Sequence, residues 1–268
     1  MKKKSHLPIL VIIPHGGYRV PEEFQGYEAV DRLSLFLQSD TCANELFTFG
    51  NRVAGTIDTA ISRLFTDLDR PLTALPPDQD GIIKKSTLTG KPVFAGSHFP
   101  DEIAIANVLR RYWSPFHNAI SKIIETGGIR LILECHTIMA VGPKFSHDPE
   151  KPRPIARLEH VIPSDDGAVN TCDPALARGL LDSLKKSLAG EEDTIAEKLE
   201  VSREPSRGYI LARYGSSHIP MIRLSLSKSL YLNETYFNID FMKVDELRLR
   251  YLRDLVWNAV ERFFSRNF

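Results

Sequence analysis

The spacing of apolar positions changes several times along the chain, and each change marks an element. Ile9-Leu10-Val11-Ile12-Ile13 is an unbroken, mostly β-branched run stopped by Pro14 and Gly16-Gly17, the pattern of a strand buried on both faces of a sheet. From about residue 27 to 49 the spacing turns helical through Val30, Leu33 and Leu37, then Leu46 and Phe47, with a break at Ser39-Asp40. Two helices are expected there, the second capped by Asp40. Strand character returns over 53–65 with Ile57, Ile61 and Leu64. Pro71, Pro76, Pro77 and Gly81 then open an irregular excursion to about Pro100, a length that in compact domains marks a functional loop or a disordered segment. Asp101 precedes an amphipathic helix with Ile105, Val108, Leu109, Tyr112, Phe116, Ile120 and Ile123 on one stripe, closed by Gly127-Gly128.

Ile129, Leu131, Ile132 and Leu133 predict another buried strand, interrupted by Arg130, which delivers Glu134-Cys135-His136-Thr137 at its C-terminal end. In open α/β sheets that edge is where ligands bind. A Pro-rich stretch from Pro143 to Pro163 follows, then a helix over about 174–189. Val201, the run 209–214 and the run 221–226 read as later strands. The C-terminal helix carries Leu252, Leu255, Val256, Ala259, Val260 and Phe263 on one face. Strands alternating with helices over 1–268, without an internal repeat, predict a single three-layer α/β/α domain with a mixed central sheet.

Composition narrows the classes. With 268 residues, 43% hydrophobic and 25% charged, the chain sits near the average for globular domains, which excludes collagen-like, disordered and small disulfide-stapled proteins. Lys+Arg and Asp+Glu are equal at 34 each, so no global field draws nucleic acid or anionic lipid, and anion recognition must be local. Cys42, Cys135 and Cys172 are odd in number and lack C-x-x-C spacing, which argues against a disulfide framework or a cysteine zinc knuckle and for a reducing compartment. Met1-Lys2-Lys3-Lys4 followed by the apolar run from Leu7 imitates a signal peptide. The run is only about eight residues long, no small-residue cleavage site follows, and no later run approaches the ~20 apolar residues of a membrane span. It is read as the first strand of a cytoplasmic protein.

Four stretches can carry chemistry. Pro14-His15-Gly16-Gly17 places a histidine just past a buried strand, beside glycines that allow close approach; it suits a metal or an anion, or is a plain turn histidine. His136 ends another buried strand, and Glu134, two residues before it, shares its face; Glu134 either orients the imidazole or pairs with an arginine. Ser62 to Pro71 holds Arg63, Asp67, Asp69 and Arg70, suited to bidentate capture of a carboxylate or forming an ion-pair cluster. Arg207-Gly208-Tyr209 through Arg213, and Arg223, Ser225 and Ser227 alternating on one strand, either line a cleft or form an ordinary half-exposed strand. His6, His98, His117, His147, His160 and His218 have no partner at ligand spacing and are assigned to solvation or capping; of these, His147 and His218 lie near the cleft loops.

In order and spacing the four stretches resemble the N-formylglutamate amidohydrolase family. Its members show a strand ending in Pro-His-x-Gly, then an acidic residue, a Ser-Arg...Asp-Leu-Asn-Arg-Pro block, an Asp-x-His-Ser strand end, and a late Gln-Leu-Glu before a Leu-Tyr pair. The matching residues are Pro14 to Gly17, Asp40, Ser62 to Pro71, Glu134 to Thr137 and Arg223 to Tyr231, with lesser matches at Arg153-Pro154, Cys172-Asp173-Pro174 and Gly208-Tyr209. The resemblance implies a phosphorylase/hydrolase-like fold similar to zinc carboxypeptidases, and a zinc-dependent hydrolase cleaving the N-acyl amide of a small-molecule amino acid. It implies one Zn2+, or another divalent ion, held by His15, Asp40 and His136, with a fourth position for water. Arg70 and Arg63 would hold the substrate carboxylate. It implies neither a nucleic-acid nor a membrane partner.

The chain departs from the pattern. The family's general-base glutamate falls on Ser225, whose hydroxyl cannot take a proton from water at neutral pH unaided. Loss of base assistance costs ~10² to 10⁴ in rate, and Glu134 is the candidate substitute. Asp69 stands for an asparagine, Glu134 for an aspartate and Thr137 for a serine. Arg207 to Ala212 replaces Gly-Gly-Tyr-Ile-Thr-Arg, so Arg213 or Arg223 is expected to restore the missing positive charge. The alternative implied by Ser225 is a degenerate relative that binds a metal or an acidic amino-acid derivative without turnover.

Overall fold

The apolar runs become strands of one sheet in the computed structural model, which describes residues 6–75, 80–96, 99–191, 199–215 and 217–268. Met1 to Lys4, Pro76, Pro77 and His98 lie outside the described residues. In chain order the elements are β1 (Leu7–Ile13), α1 (Arg32–Gln38), α2 (Ala43–Phe47), β2 (Val53–Asp58), α3 (Glu102–Val108), α4 (Ser114–Thr126), β3 (Leu131–Ile138), β4 (Ala156–Glu159), β5 (Val161–Ser164), β6 (Gly167–Asn170), α5 (Pro174–Leu188), β7 (Leu199–Val201), α6 (Tyr209–Tyr214), β8 (Met221–Ser227), β9 (Phe237–Asn238), β10 (Lys243–Val244) and α7 (Glu246–Asn267).

The central sheet has the order β2-β1-β3-β8-β4-β7. Neighbours are parallel except β4 and β8, so the sheet is mixed, as expected. Side chains alternate between its faces. Ile9, Val11, Ile13, Leu131, Leu133, Ile222 and Leu224 pack with residues of α2, α5 and α7. Leu10, Ile12, Ile132 and Met221 pack on the other side with residues of α4 and α6 and with Phe24, Phe65 and Phe94 from the long loops. The sheet thus lies between two helical layers. Among the described residues no helix is long and apolar enough to cross a membrane.

Several local expectations change. The run 209–214 is helix α6, not a strand: Ile210, Leu211 and Tyr214 are its buried positions, which is one helical face. Its first N–H groups are met from a distance, Ile210 N–H donating to Asp69 Oδ1 at 2.8 Å and Tyr209 N–H to the Asp69 carbonyl. Asp40 does not cap α2. The N-cap is Cys42, in a left-handed conformation with φ of 59°, and the Asp40 carboxylate is spent elsewhere. Strand β2 ends at Asp58, and Gly17 and Arg19 then bridge to Ser62 and Ile61. Gly17 has no alternative there, because a Cβ would lie 2.2 Å from the Ala60 carbonyl carbon. The helix expected over 101–126 carries a π-helical turn, Leu109–Trp113, where Pro115 has no N–H to return to the preceding turn. The Pro-rich stretch hides β4 and part of β5.

Candidate metal centre at the strand ends

Strands β1, β3 and β8 run parallel, so their carboxyl ends share one edge. On the face that is apolar at Leu10, Ile12, Ile132 and Met221, side chains turn polar toward that edge. Glu134 and His136 lie on β3, Arg223 and Ser225 lie on β8 in register with them, and His15 follows β1. The loop from α1 into α2 brings Asp40, tied by its N–H to the His15 carbonyl at 2.9 Å.

Two buried imidazoles face one carboxylate. His136 Nδ1 is 2.8 Å from Asp40 Oδ2, and its Nε2 is 2.9 Å from Glu134 Oε1. His15 Nε2 is 2.7 Å from Asp67 Oδ1, while its Nδ1 points toward Asp40 Oδ2 at 3.7 Å and has no hydrogen-bond partner among the described residues. The ring centroids are 5.0 Å apart. Each ring is therefore anchored on Nε2 by a carboxylate and offers Nδ1 to the space beside Asp40, the way metal-bound histidines are oriented. The three donors lie within 4.8 Å of one another. An unpartnered buried nitrogen and an N₂O donor set suit a divalent ion of the zinc kind.

Electrostatics follow from this arrangement. Burial, helped by the Arg63 charge, pulls His15 below its ordinary value despite Asp67 and Asp40, leaving a neutral imidazole. Burial and Arg223 act in the same sense on His136, but hydrogen bonds to Asp40 and Glu134 outweigh them and lift it to about 9. A cation bound beside Asp40 competes with a proton for Nδ1 of His136. Burial would raise Asp40 and Asp67, yet His136 holds the first, and Lys84, His15 and Arg63 hold the second, below the usual carboxylate range.

The expected site residues are only partly brought together. Arg63 donates to Asp67 Oδ2 at 3.1 Å, and its side chain keeps 21% exposure. Arg70 pairs with Asp80 Oδ2 at 2.6 Å and donates to the Asp69 carbonyl at 2.8 Å, while its own carbonyl accepts from Trp113 Nε1 at the end of the π-helical turn. Both readings of Glu134 hold at once: it accepts from His136 and also from Arg223 Nη2 at 2.5 Å. Ser225 is buried beside His136 in register. Arg213 stands apart, exposed, over the rings of Tyr209 and Tyr214.

Sequence reasoning assigned no role to Asp67, Lys84 or Lys228. Asp67 anchors His15 and pairs with Lys84 Nζ at 2.9 Å. Buried Lys228 donates to the carbonyls of Leu37 and Ser39 at 2.9 and 2.5 Å, bracing the segment that holds Asp40; burial lowers it to about 8. His117 is neither solvated nor a cap. It is buried between the Leu68 carbonyl and the Tyr214 hydroxyl, at 2.9 and 3.0 Å. The one signal that could have found Asp67 was its place in the Ser62 to Pro71 block.

Fold and site together define an α/β protein with a two-histidine, one-carboxylate centre at the carboxyl edge of its sheet. The family model described as N-formylglutamate amidohydrolase matches residues 7–232, and the chain belongs to that family. Its fold is shared with the crystal structure of N-formylglutamate amidohydrolase from Ralstonia eutropha JMP134, at a TM-score of 0.73 and 20% identity, covering 98% of this chain and 96% of that one. A gene product of Agrobacterium tumefaciens is also similar, with a TM-score of 0.59 and 14% identity, covering 96% of this chain and 92% of that one. No curated protein matches the chain.

Proposed function

We propose that this member of the family is a metal-dependent amidohydrolase, working as a single domain, that cleaves the N-acyl, formyl-like amide of an amino acid. The observation that carries the reading is the pair of Nε2-anchored imidazoles, with Nδ1 of His15 unpartnered and both rings facing Asp40. His15, Asp40 and His136 would hold zinc, which when bound lowers the pKa of water to ~7 and polarises the scissile carbonyl.

The chain's own residues do the rest. Asp67 and Glu134 fix the two rings. Arg63 is partly exposed and, among the described residues, its ion bridge is to Asp67, so it can turn an N–H to a substrate carboxylate. Arg70 can exchange its bond to Asp80, whose side chain is 68% exposed, for the same purpose. Arg213 lies outside this cluster. Ser225 supplies a hydroxyl but no base, and Glu134, whose Oε2 is buried without a hydrogen-bond partner among the described residues, is the carboxylate left to take a proton beside His136.

The reading is tested by incubating zinc-loaded and metal-free protein with a panel of N-formyl and N-acetyl amino acids and measuring amine release. Hydrolysis by the zinc-loaded form above the metal-free control is expected. No hydrolysis of any member of the panel contradicts it.

A further inference from the structure

Arg223, its side chain 12% exposed, lies in a ring of acid. Its Nη2 lies 2.5 Å from Asp69 Oδ2 and 2.5 Å from Glu134 Oε1, and its Nε lies 3.9 Å from Glu159 Oε2. In the sheet register Arg223 stands opposite Glu134 on β3 and Glu159 on β4. Asp69, Glu134 and His136 form a second group close enough to hold a metal ion, and the guanidinium already bridges its two carboxylates. Gly208, just before α6, packs on that guanidinium so closely that a Cβ there would lie 1.8 Å from Nη2. Glu134 Oε1 is shared between Arg223 Nη2 and His136 Nε2. Asp69 in turn accepts from the first turn of α6.

We propose that Arg223 is a positioning residue: an internal cation standing where a second metal ion would sit, which fixes Glu134 on His136 and Asp69 on α6 and does not bind the substrate carboxylate. The inference rests on the metal-centre reading above. Its physical basis is that two buried carboxylates converging on one point need a positive charge between them. With the charge removed, Glu134 and Asp69 repel, and the oxygen that orients His136 is no longer fixed. Outer partners of metal-bound histidines typically contribute about 10- to 100-fold to metal affinity. The chain is therefore expected to bind one divalent ion and not two.

The test is zinc affinity and stoichiometry of the full chain, measured by chelator competition without substrate, with circular dichroism as the fold control. Wild type is expected to bind one zinc. Arg223→Gln should weaken binding by about 10- to 100-fold, and Arg223→Lys should recover part of the loss by keeping the charge. Gly208→Ala should weaken binding too, since it displaces the guanidinium with the charge intact. The double variant Asp69→Asn/Arg223→Gln should bind more tightly than Arg223→Gln alone, because it removes one of the opposed carboxylates. Should Arg223→Gln not fold, the Lys and Gly208→Ala variants carry the comparison. Unchanged zinc affinity in a folded Arg223→Gln, or two zinc ions in wild type, overturns the assignment. No zinc in wild type contradicts the metal-centre reading itself, a distinct outcome.

Discussion

The imidazole of His15 shows how far a residue's role depends on partners distant in sequence. Its place after a buried strand and before two glycines is visible in the chain, and so are the strand-end positions of Glu134 and His136. What aims the ring is Asp67, 52 positions away, and no local pattern announces that pairing. In the charged block Ser62 to Pro71, Asp67 anchors His15 and Asp69 meets the start of α6, while Arg63 pairs with Asp67 and Arg70 with Asp80, a division of labour that adjacency in the chain does not reveal. Ser225 is the residue whose consequence is sharpest. It lies between His136 on β3 and Arg157 on β4 in register, where a carboxylate would reach the centre's edge. Ser225→Glu is expected to raise kcat on an N-formyl amino acid by about 10²-fold or more; a fall in kcat would show that the serine is tuned to its substrate.

At the scale of elements, long apolar runs were legible, and short pieces and the cap of α2 were not. β1, β3, β8, α5 and α7 follow from periodicity alone. The six residues of α6, carrying Tyr, Ile and Leu, satisfy both the strand and the helix period, and the group that favours helix is the side chain of Asp69, outside the segment. The helix over 101–126 is visible in the sequence, and Pro115 marks a weak point in it; the π-helical turn just before that proline also sets Trp113 Nε1 on the Arg70 carbonyl, a contact outside the segment that periodicity does not show. His117 joins α4 to α6 through Tyr214, and burial lowers its pKa to about 4. A histidine kept neutral in the fold contributes stability that is present above its unfolded value near 6.5 and lost as pH falls from there toward 4. Urea unfolding at pH 7 and pH 5 should therefore show a smaller loss of stability in His117→Asn than in wild type. An equal loss in both would place the acid sensitivity elsewhere.

For the whole molecule, the alternation of strands and helices gave the layered α/β arrangement, and the mixed sheet agreed. The strand order did not follow, because β4 comes from a Pro-rich stretch and inserts antiparallel beside β8. That insertion puts Arg157 and Glu159 across from Ser225 and Arg223, so a piece with little strand character helps to shape the site. The centre is assembled from a turn after β1, a loop after α1 and the ends of β3 and β8, and it exists only when the whole sheet is formed. The claim on which the account stands is that His15, Asp40 and His136 hold a metal. The direct measurement is the metal content of protein purified without added metal, compared with His136→Ala prepared identically and checked for folding. About one zinc per chain in wild type, absent from the variant, is the predicted result; no metal in either, or equal metal in both, contradicts it.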